Sequence, residues 1–249
     1  MGRLIGERLL QAWERIRSLP EQEAVLAVLA LSWPQRPEGE LARLPLGERN
    51  ALLLDLRAVT LGPGIEAFAV CLKCEAQLEL TLDARELAAG LRAQQAEQPA
   101  GTGPFTMRPA NTLDLLAVGT MHDEQQAQSI LLARTLVPSG AASPAADPEP
   151  DQGKWLAAQP ESARTALVAQ FEQINAAAEI RVEVECAACH ARTMLDLDIA
   201  RFFLRELAAA ARRLMEDVHQ LASAYGWSER SIARMSGARR AAYLGMVGA

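Results

Sequence analysis

The chain has few aromatic residues, and this shortage disfavours a strand-rich fold. Aromatic residues make up 4% of its 249 residues, although half of all residues are hydrophobic. Most of these hydrophobic residues are Ala and Leu, which favour helix over strand. We therefore expect a mostly helical protein with a core of substantial size.

The chain also lacks an overall positive charge. Its formal net charge is -6, which disfavours nucleic acid as a nonspecific partner of the whole chain. The charge is distributed unevenly, because the segment from Tyr225 onward contains four arginines and a single glutamate.

No hydrophobic run is long enough to serve as a signal or a membrane span. Residues 1–20 have charges at helical intervals and no apolar core of secretory length. The apolar run from Ala24 to Leu31 is too short to cross a bilayer. We expect a cytoplasmic protein with no membrane partner, whose cysteines stay out of disulfides in a reducing compartment.

The four cysteines form two Cys-x-x-Cys pairs, Cys71-Leu-Lys-Cys74 and Cys186-Ala-Ala-Cys189. Moving the first pair along the chain by 115 positions, from 71 to 186, superposes both cysteines. The same shift places four later residues on identical ones: Ala76 on Ala191, Leu80 on Leu195, Leu82 on Leu197 and Asp83 on Asp198. The chain therefore contains an internal repeat.

Each copy of the repeat has the pattern of a β-hairpin. Apolar and polar residues alternate before and after both pairs, which is the period of a half-buried strand. The pattern predicts two hairpins, each with a tight knuckle at its cysteines. Asp83 and Asp198 stand where N-caps are expected, ahead of helices that begin near Ala84 and Ile199.

The two pairs together predict a structural zinc site. Two residues between thiolates let both sulfurs face one ion, and four thiolates form the closed tetrahedral site that zinc prefers. The predicted ligands are Cys71, Cys74, Cys186 and Cys189. The 111 residues between the pairs exceed the usual ribbon spacing of about 15–20 residues, so tertiary folding must bring the hairpins together.

Other interpretations of the cysteines stay open. They could be free, half-buried thiols, or a redox pair, although a redox pair usually opens a helix. Glu75 and His190 follow the second cysteines, where a tight knuckle favours a residue such as Gly that tolerates positive φ. His190 is an alternative ligand, but its position beside Cys189 disfavours simultaneous coordination.

The fold class predicted is α+β and mostly helical, with the two hairpins forming one small zinc-ribbon-like sheet packed by helices. We expect Arg49, Asp55 and Arg57 on a solvated helix face. A start signal at Asn111-Thr-Leu-Asp114 predicts a helical stretch to about Val137, with His122 exposed within it. A later helix is expected to bury Leu167, Phe171 and Ile174 as its apolar stripe. The chain is predicted to form one composite domain with an N-terminal helical region at 1–62, the first hairpin and following helices at 63–137, a flexible Pro/Ala/acidic linker at 138–153, and a helix, the second hairpin and C-terminal helices at 154–249.

The C-terminal segment resembles a helix-turn-helix in its spacing. Ala222, Gly226 and Ile232 match its small, turn and branched positions, and Arg230 and Arg234 would project from the second helix. An ordinary helix-Gly-helix corner with a basic last turn explains the same residues. In either case we expect Gly226 to end the long helix and Ser228 to cap the next one.

Several stretches resemble the T-even-phage-type baseplate hub assembly chaperone family of contractile phage tails and related injection systems. The most specific is Val218-His-x-Leu-Ala-x-x-Tyr-Gly-Trp-Ser-Glu229. The others are Leu46-Gly-Glu-Arg-Asn-Ala-Leu-Leu-Leu-x-Leu-Arg57, Arg108-Pro-x-Asn-Thr-x-Asp114, both Cys-x-x-Cys pairs, and Ile232, Arg239-Arg240 and Tyr243-Leu244. The family's Cys-Pro-x-Cys-Gly knuckles differ, since this chain has neither the Pro nor the Gly.

The resemblance implies a baseplate assembly chaperone or minor baseplate component that binds hub, spike or wedge proteins, in the cytoplasm or also in the assembled particle. It implies no catalysis, and the sequence itself has no nucleophile-base pair or phosphate loop. The alternative hypothesis is a DNA-binding regulator built from a zinc ribbon and a helix-turn-helix.

Overall fold

The computed structural model describes residues 1–94, 104–139 and 150–247. Within these ranges the protein is mostly helical, as predicted. Before the first gap, the elements are α1 (Glu7–Ile16), α2 (Glu21–Ser32), α3 (Glu38–Ala42), α4 (Leu46–Leu61), β1 (Gly64–Val70), β2 (Gln77–Asp83) and α5 (Ala84–Ala93). Between the gaps lie β3 (Phe105–Met107), α6 (Thr112–Val118), α7 (Glu124–Thr135) and β4 (Leu136–Pro138).

The remaining elements follow the second gap. They are α8 (Pro150–Ala157), α9 (Glu161–Asn175), a 3-10 turn (Ala176–Ala178), β5 (Ile180–Glu185), β6 (Arg192–Leu197), α10 (Ile199–Tyr225), α11 (Glu229–Ala233) and α12 (Gly237–Val247). No helix in the described ranges is both long enough and apolar enough to cross a membrane.

The main core lies between the N-terminal helices and α10. Helix α2 is apolar on nearly every side, and such a helix is stable only when it is surrounded by protein; its residues from Ala24 to Leu29 are all buried. Helix α10 buries one stripe, which includes Phe203, Leu207 and Leu214. The N-terminal third of the chain and its C-terminal helices therefore share one core.

A smaller second core joins β3, β4 and helices α7 to α9. It contains Met107, Leu132, Leu136, Leu156, Leu167 and Ile174. The predicted apolar stripe of α9 contributes Leu167 and Ile174, and Phe171 packs at its edge. This core lies apart from the residues of the cysteine repeat.

The strands form three separate two-stranded antiparallel sheets, β1–β2, β3–β4 and β5–β6. The expectation that the two cysteine hairpins share one sheet is therefore wrong for the described residues. The hairpins meet instead through side chains, since Leu78 and Ala69 of the first pack in one cluster with Val184 of the second. Alternating patterns predict which side chains face inward, but they do not predict whether two hairpins meet by edges or by faces.

Two predicted segments have different boundaries in the structure. The helical stretch expected from 111 to 137 is broken at residues 119–123, because the Asp123 side chain accepts from Gln126 N at 3.0 Å and caps a new helix. His122 therefore lies in the break rather than in a helix, although it is exposed as expected.

The linker expected at 138–153 is shorter at both ends. Pro138 pairs with Phe105 in a sheet, and α8 begins at Pro150, where the fixed φ of proline suits the first helical position. Residues 140–149 of this linker lie outside the described residues, as do residues 95–103.

Two arginines expected on a solvated face are buried. Arg57 is 4% exposed; it donates to both carboxylate oxygens of Glu206 at 3.0 and 2.8 Å, and to the carbonyl of Gly62 at 2.6 Å. Arg49 is also 4% exposed, and its burial lowers the pKa of its guanidinium to about 10. Helical periodicity could not indicate the Arg57 site, since its partner carboxylate lies on α10.

A buried ion network starts α6. Asp114 is 0% exposed and accepts from Arg108 at 2.7 and 3.0 Å and from Arg134 at 3.0 Å. It also accepts from the backbone N–H of Asn111, whose own side chain caps the helix in return. The predicted start signal is thus confirmed as a capping box. The Asp114 carboxylate also balances the positive charges of Arg108 and Arg134.

We expect Asp114→Ala to lower the free energy of unfolding by about 3–5 kcal/mol, because it leaves two partly buried guanidinium groups uncompensated. Urea denaturation measures the change. Asp123→Ala is the matched control, since Asp123 caps α7 from an exposed position, and we expect it to cost about 1 kcal/mol. Equal losses in the two variants would contradict a stabilising role for the network.

Candidate metal centre

Both hairpins end in the same knuckle. In the first, Cys71 N donates to Ala76 O at 2.9 Å and Glu75 N donates to Cys71 O at 2.9 Å. In the second, Cys186 N donates to Ala191 O at 2.9 Å and His190 N donates to Cys186 O at 2.8 Å. The sequence repeat is therefore also a repeat of backbone hydrogen bonds, and each knuckle turns its two sulfurs toward the other hairpin.

The four sulfurs lie together although the pairs are far apart in sequence. All four Sγ atoms lie within 4.8 Å of one another. Two contacts cross between the hairpins, with Cys71 Sγ 3.7 Å from Cys189 Sγ and Cys74 Sγ 3.6 Å from Cys186 Sγ. The cluster therefore joins two parts of the chain that the sequence separates.

These distances fit a tetrahedral metal ion. Four sulfurs at about 2.3 Å from one ion, the usual zinc–sulfur bond, are separated from one another by about 3.8 Å. The crossing contacts at 3.6 and 3.7 Å match this edge. The four cysteines could thus hold one metal ion.

The surroundings of the cluster are apolar and closed on one side. Cys71 and Cys186 are both 0% exposed, Cys189 is half-buried and Cys74 is exposed. Leu78, Ala76 and Val184 pack around them. An ion held there would be shielded from water on its inner side and would be accessible beside Cys74.

The electrostatics of the knuckle favour a thiolate at Cys71. Backbone N–H groups of Lys73 and Cys74 donate to its sulfur and lower the pKa of its thiol to about 6, against the opposing effect of burial. At Cys74, the N–H of Ala76 lowers the pKa, but contacts with the other three sulfurs together with burial outweigh it and raise the pKa to about 12. Without a metal the cluster therefore keeps a proton at Cys74, which metal binding would displace.

The knuckles contain the only two non-glycine residues with positive φ in the described chain. These are Glu75 at 59° and His190 at 55°, the two positions where the sequence suggested a need for Gly. A residue with a Cβ costs roughly 1–2 kcal/mol in this region. His190 does not join the sulfur cluster; its Nδ1 lies 3.1 Å from Glu185 Oε1 on the exposed side.

The segment that resembles a helix-turn-helix forms a tight corner. Gly226 has a φ of 68° and ends α10, and the Ser228 side chain caps α11, as predicted. However, α11 has five residues. Arg230 within it and Arg234 directly after it contact one carboxylate, with their Nε atoms 3.3 and 3.5 Å from Glu7 Oε1.

An aromatic cluster, which sequence reasoning missed, stabilises this corner. Tyr225 and Trp227 stack with centroids 4.5 Å apart, and Tyr243 of α12 contacts Trp227 edge-on at 4.8 Å. The sequence does contain a signal for this cluster, since Tyr225 and Trp227 flank Gly226. A glycine in the left-handed backbone conformation between two aromatic residues can bring their rings face to face.

Comparison of the chain with known proteins found no matching protein-family model, no matching curated protein and no matching solved structure.

We expect the purified protein to contain one zinc ion per chain and Cys71→Ser plus Cys186→Ser to contain none. Because the ion would tie the two hairpins together, the melting temperature should fall in the double variant and in the wild type treated with chelator. Chelator should have no further effect on the variant, which serves as the control. An unchanged melting temperature in both cases would contradict a structural metal.

We expect Glu75→Gly to raise the free energy of unfolding by about 0.5–1 kcal/mol, because the relief of positive φ exceeds the entropy that glycine adds to the unfolded chain. Chemical denaturation of the metal-loaded protein measures it. Gln77→Gly, two residues on in an exposed strand position, should destabilise instead. A loss of stability in both variants would mean that the knuckle is not strained.

Proposed function

We propose that this protein is a non-enzymatic assembly factor, or a minor component, of the baseplate of a contractile phage tail or a phage-tail-like injection system. The observation that carries the proposal is the role of the polar residues in the stretches that resemble the baseplate chaperone family. Arg57, Arg108 and Asp114 hold buried ion pairs, and Tyr225 and Trp227 build the C-terminal corner. These residues are structural determinants spread over the chain, which supports a resemblance of the whole fold.

Zinc is the metal that we propose for the four cysteines. Four thiolates at tetrahedral distances are typical of closed structural zinc sites, which leave no coordination position for a substrate. The knuckles at the tips of two hairpins are similar to those of a zinc ribbon, although the hairpins share no strand pairing. The ion would act as a cross-link between the first and last thirds of the chain.

The partners that we propose are hub, spike or wedge proteins of the baseplate. We propose that the protein acts in the cytoplasm and then either leaves or remains in the assembled particle. A binding role also agrees with an exposed apolar strip on the first hairpin, where Phe68 and Leu72 are 74% and 84% exposed.

A DNA-binding regulator has less support. Helix α11 has five residues, which at about 1.5 Å per residue gives a length of about 7.5 Å, less than the width of a major groove, about 12 Å. Arg230 in this helix and Arg234 directly after it contact Glu7, and both arginines would have to leave that carboxylate before they could bind phosphates. The formal charge of -6 also opposes binding to DNA.

The test is to tag the protein in the organism that encodes it and to purify it from cleared lysate and from assembled tail-like particles. We expect hub, spike or wedge proteins to be recovered with it from lysate. Absence from particles would identify an assembly factor that leaves, and presence would identify a structural component. Recovery of DNA or transcription machinery instead, with binding lost at high salt and in Arg230→Ala plus Arg234→Ala, would overturn the proposal.

A further inference from the structure

The two copies of the repeat agree on their inward faces and differ on their outward faces. Five inward strand positions are apolar in both copies: Ile65 and Ile180, Ala67 and Val182, Ala69 and Val184, Leu80 and Leu195, and Leu82 and Leu197. A sixth inward position has Leu78 in the first copy and the buried Thr193 in the second. Three outward positions of the first hairpin, Phe68, Val70 and Leu72, correspond to Glu183, Glu185 and Ala187 in the second. Formation of the hairpin and of the sulfur cluster therefore does not require these three apolar residues.

On the outward face of the second hairpin, charged side chains pair with neighbouring side chains of opposite charge. Glu183 lies 3.6 Å from Arg192, and Glu185 lies 3.1 Å from His190. Arg181 pairs with Glu179 and lies 3.7 Å from Asp196. Such a surface is suited to solvent, because its charges have partners within the hairpin.

The outward face of the first hairpin has exposed apolar residues and uncompensated acidic ones. Phe68, Val70 and Leu72 are 74%, 53% and 84% exposed, and they follow one another at alternate positions along one side. Among the described residues, the side chains of Glu66, Glu75 and Glu79 have neither an ion pair nor a hydrogen bond. In the strand register Glu79 lies directly opposite Phe68, so the acidic groups border the apolar strip.

We propose that this outward face of the first hairpin is the docking surface for a partner protein that presents an apolar segment bordered by lysine or arginine. The proposal rests on the proposed role as an assembly factor, and it specifies the surface and the chemistry of the partner. The apolar strip would supply burial, while the three glutamates would select and orient a basic partner.

The charges argue against other occupants. A second copy docked by the same face would place six glutamates around one apolar strip, and like charges brought together are costly. Nucleic acid and anionic lipid are repelled by the same carboxylates. Lys73 is the only basic residue in the first hairpin, and it does not reverse this balance.

Site-specific photo-cross-linking in living cells tests the proposal. The full-length chain would have p-benzoylphenylalanine in place of Phe68 or, as the matched control, in place of Glu183 at the corresponding position of the second hairpin. We expect position 68 to cross-link a protein at least about tenfold more strongly than position 183. Mass spectrometry of the adduct should place the contact in a segment with apolar residues next to lysine or arginine.

The contribution of charge is tested in the same assay. Glu66→Lys plus Glu79→Lys should reduce the yield from position 68 by about tenfold or more, whereas Glu183→Lys plus Glu185→Lys should leave it unchanged. Unchanged zinc content in each chain checks that the hairpins are still folded. Equal yields from positions 68 and 183, no adduct, or adducts with lipid or a second copy of this chain would overturn the proposal.

The assay separates the surface from the function. Cross-linking from position 68 to a basic, apolar segment of a protein outside any injection system would support the docking surface and refute the baseplate role. Recovery of baseplate proteins by the tagged chain, without preferential cross-linking from position 68, would support the role and refute the surface.

Discussion

The tips of the two hairpins meet through four sulfur atoms from two distant parts of the chain. The contact forms only if both hairpins extend from the main core in the same direction, and each hairpin is anchored there by a buried residue at its base, Ile65 or Ile180. Arg57 adds a third tie, because it joins the end of α4 to Glu206 of α10 and to the backbone that enters β1. The hairpins are thus held at the base by packing and at the tip by the cysteines.

Much of this arrangement could be predicted because its signals are local. The alternation of the strands, the capping aspartates and Gly226 specified both hairpins and the bounds of α10, since each feature depends on residues close in sequence. Other features depend on residues that are distant in sequence. Arg57 is buried because it pairs with Glu206 of α10. The two hairpins meet through their side chains because the core positions them, and hydrophobic periodicity within one hairpin carries no information about that position.

The repeat separates what the fold requires from what it leaves free. Both copies have five apolar inward positions, the knuckle hydrogen bonds and the aspartate cap, so these features are the common structural requirement. Both also keep a non-glycine residue at positive φ, which shows that the knuckle forms against a local cost. The outward positions contribute little to either hairpin, and there the two copies have diverged in charge and hydrophobicity.

The distance between the cysteine pairs also determines when the centre can form during synthesis. Cys74 and Cys186 are 112 positions apart, and at about 5–20 residues per second a ribosome needs roughly 6–22 s to add that length. Throughout this interval the first pair has no partner pair, and its thiols can only be solvated, oxidised or bound by other ligands. The four-sulfur site therefore forms late, after the second hairpin has been synthesised. A complete site indicates that the two hairpins of the chain are in contact.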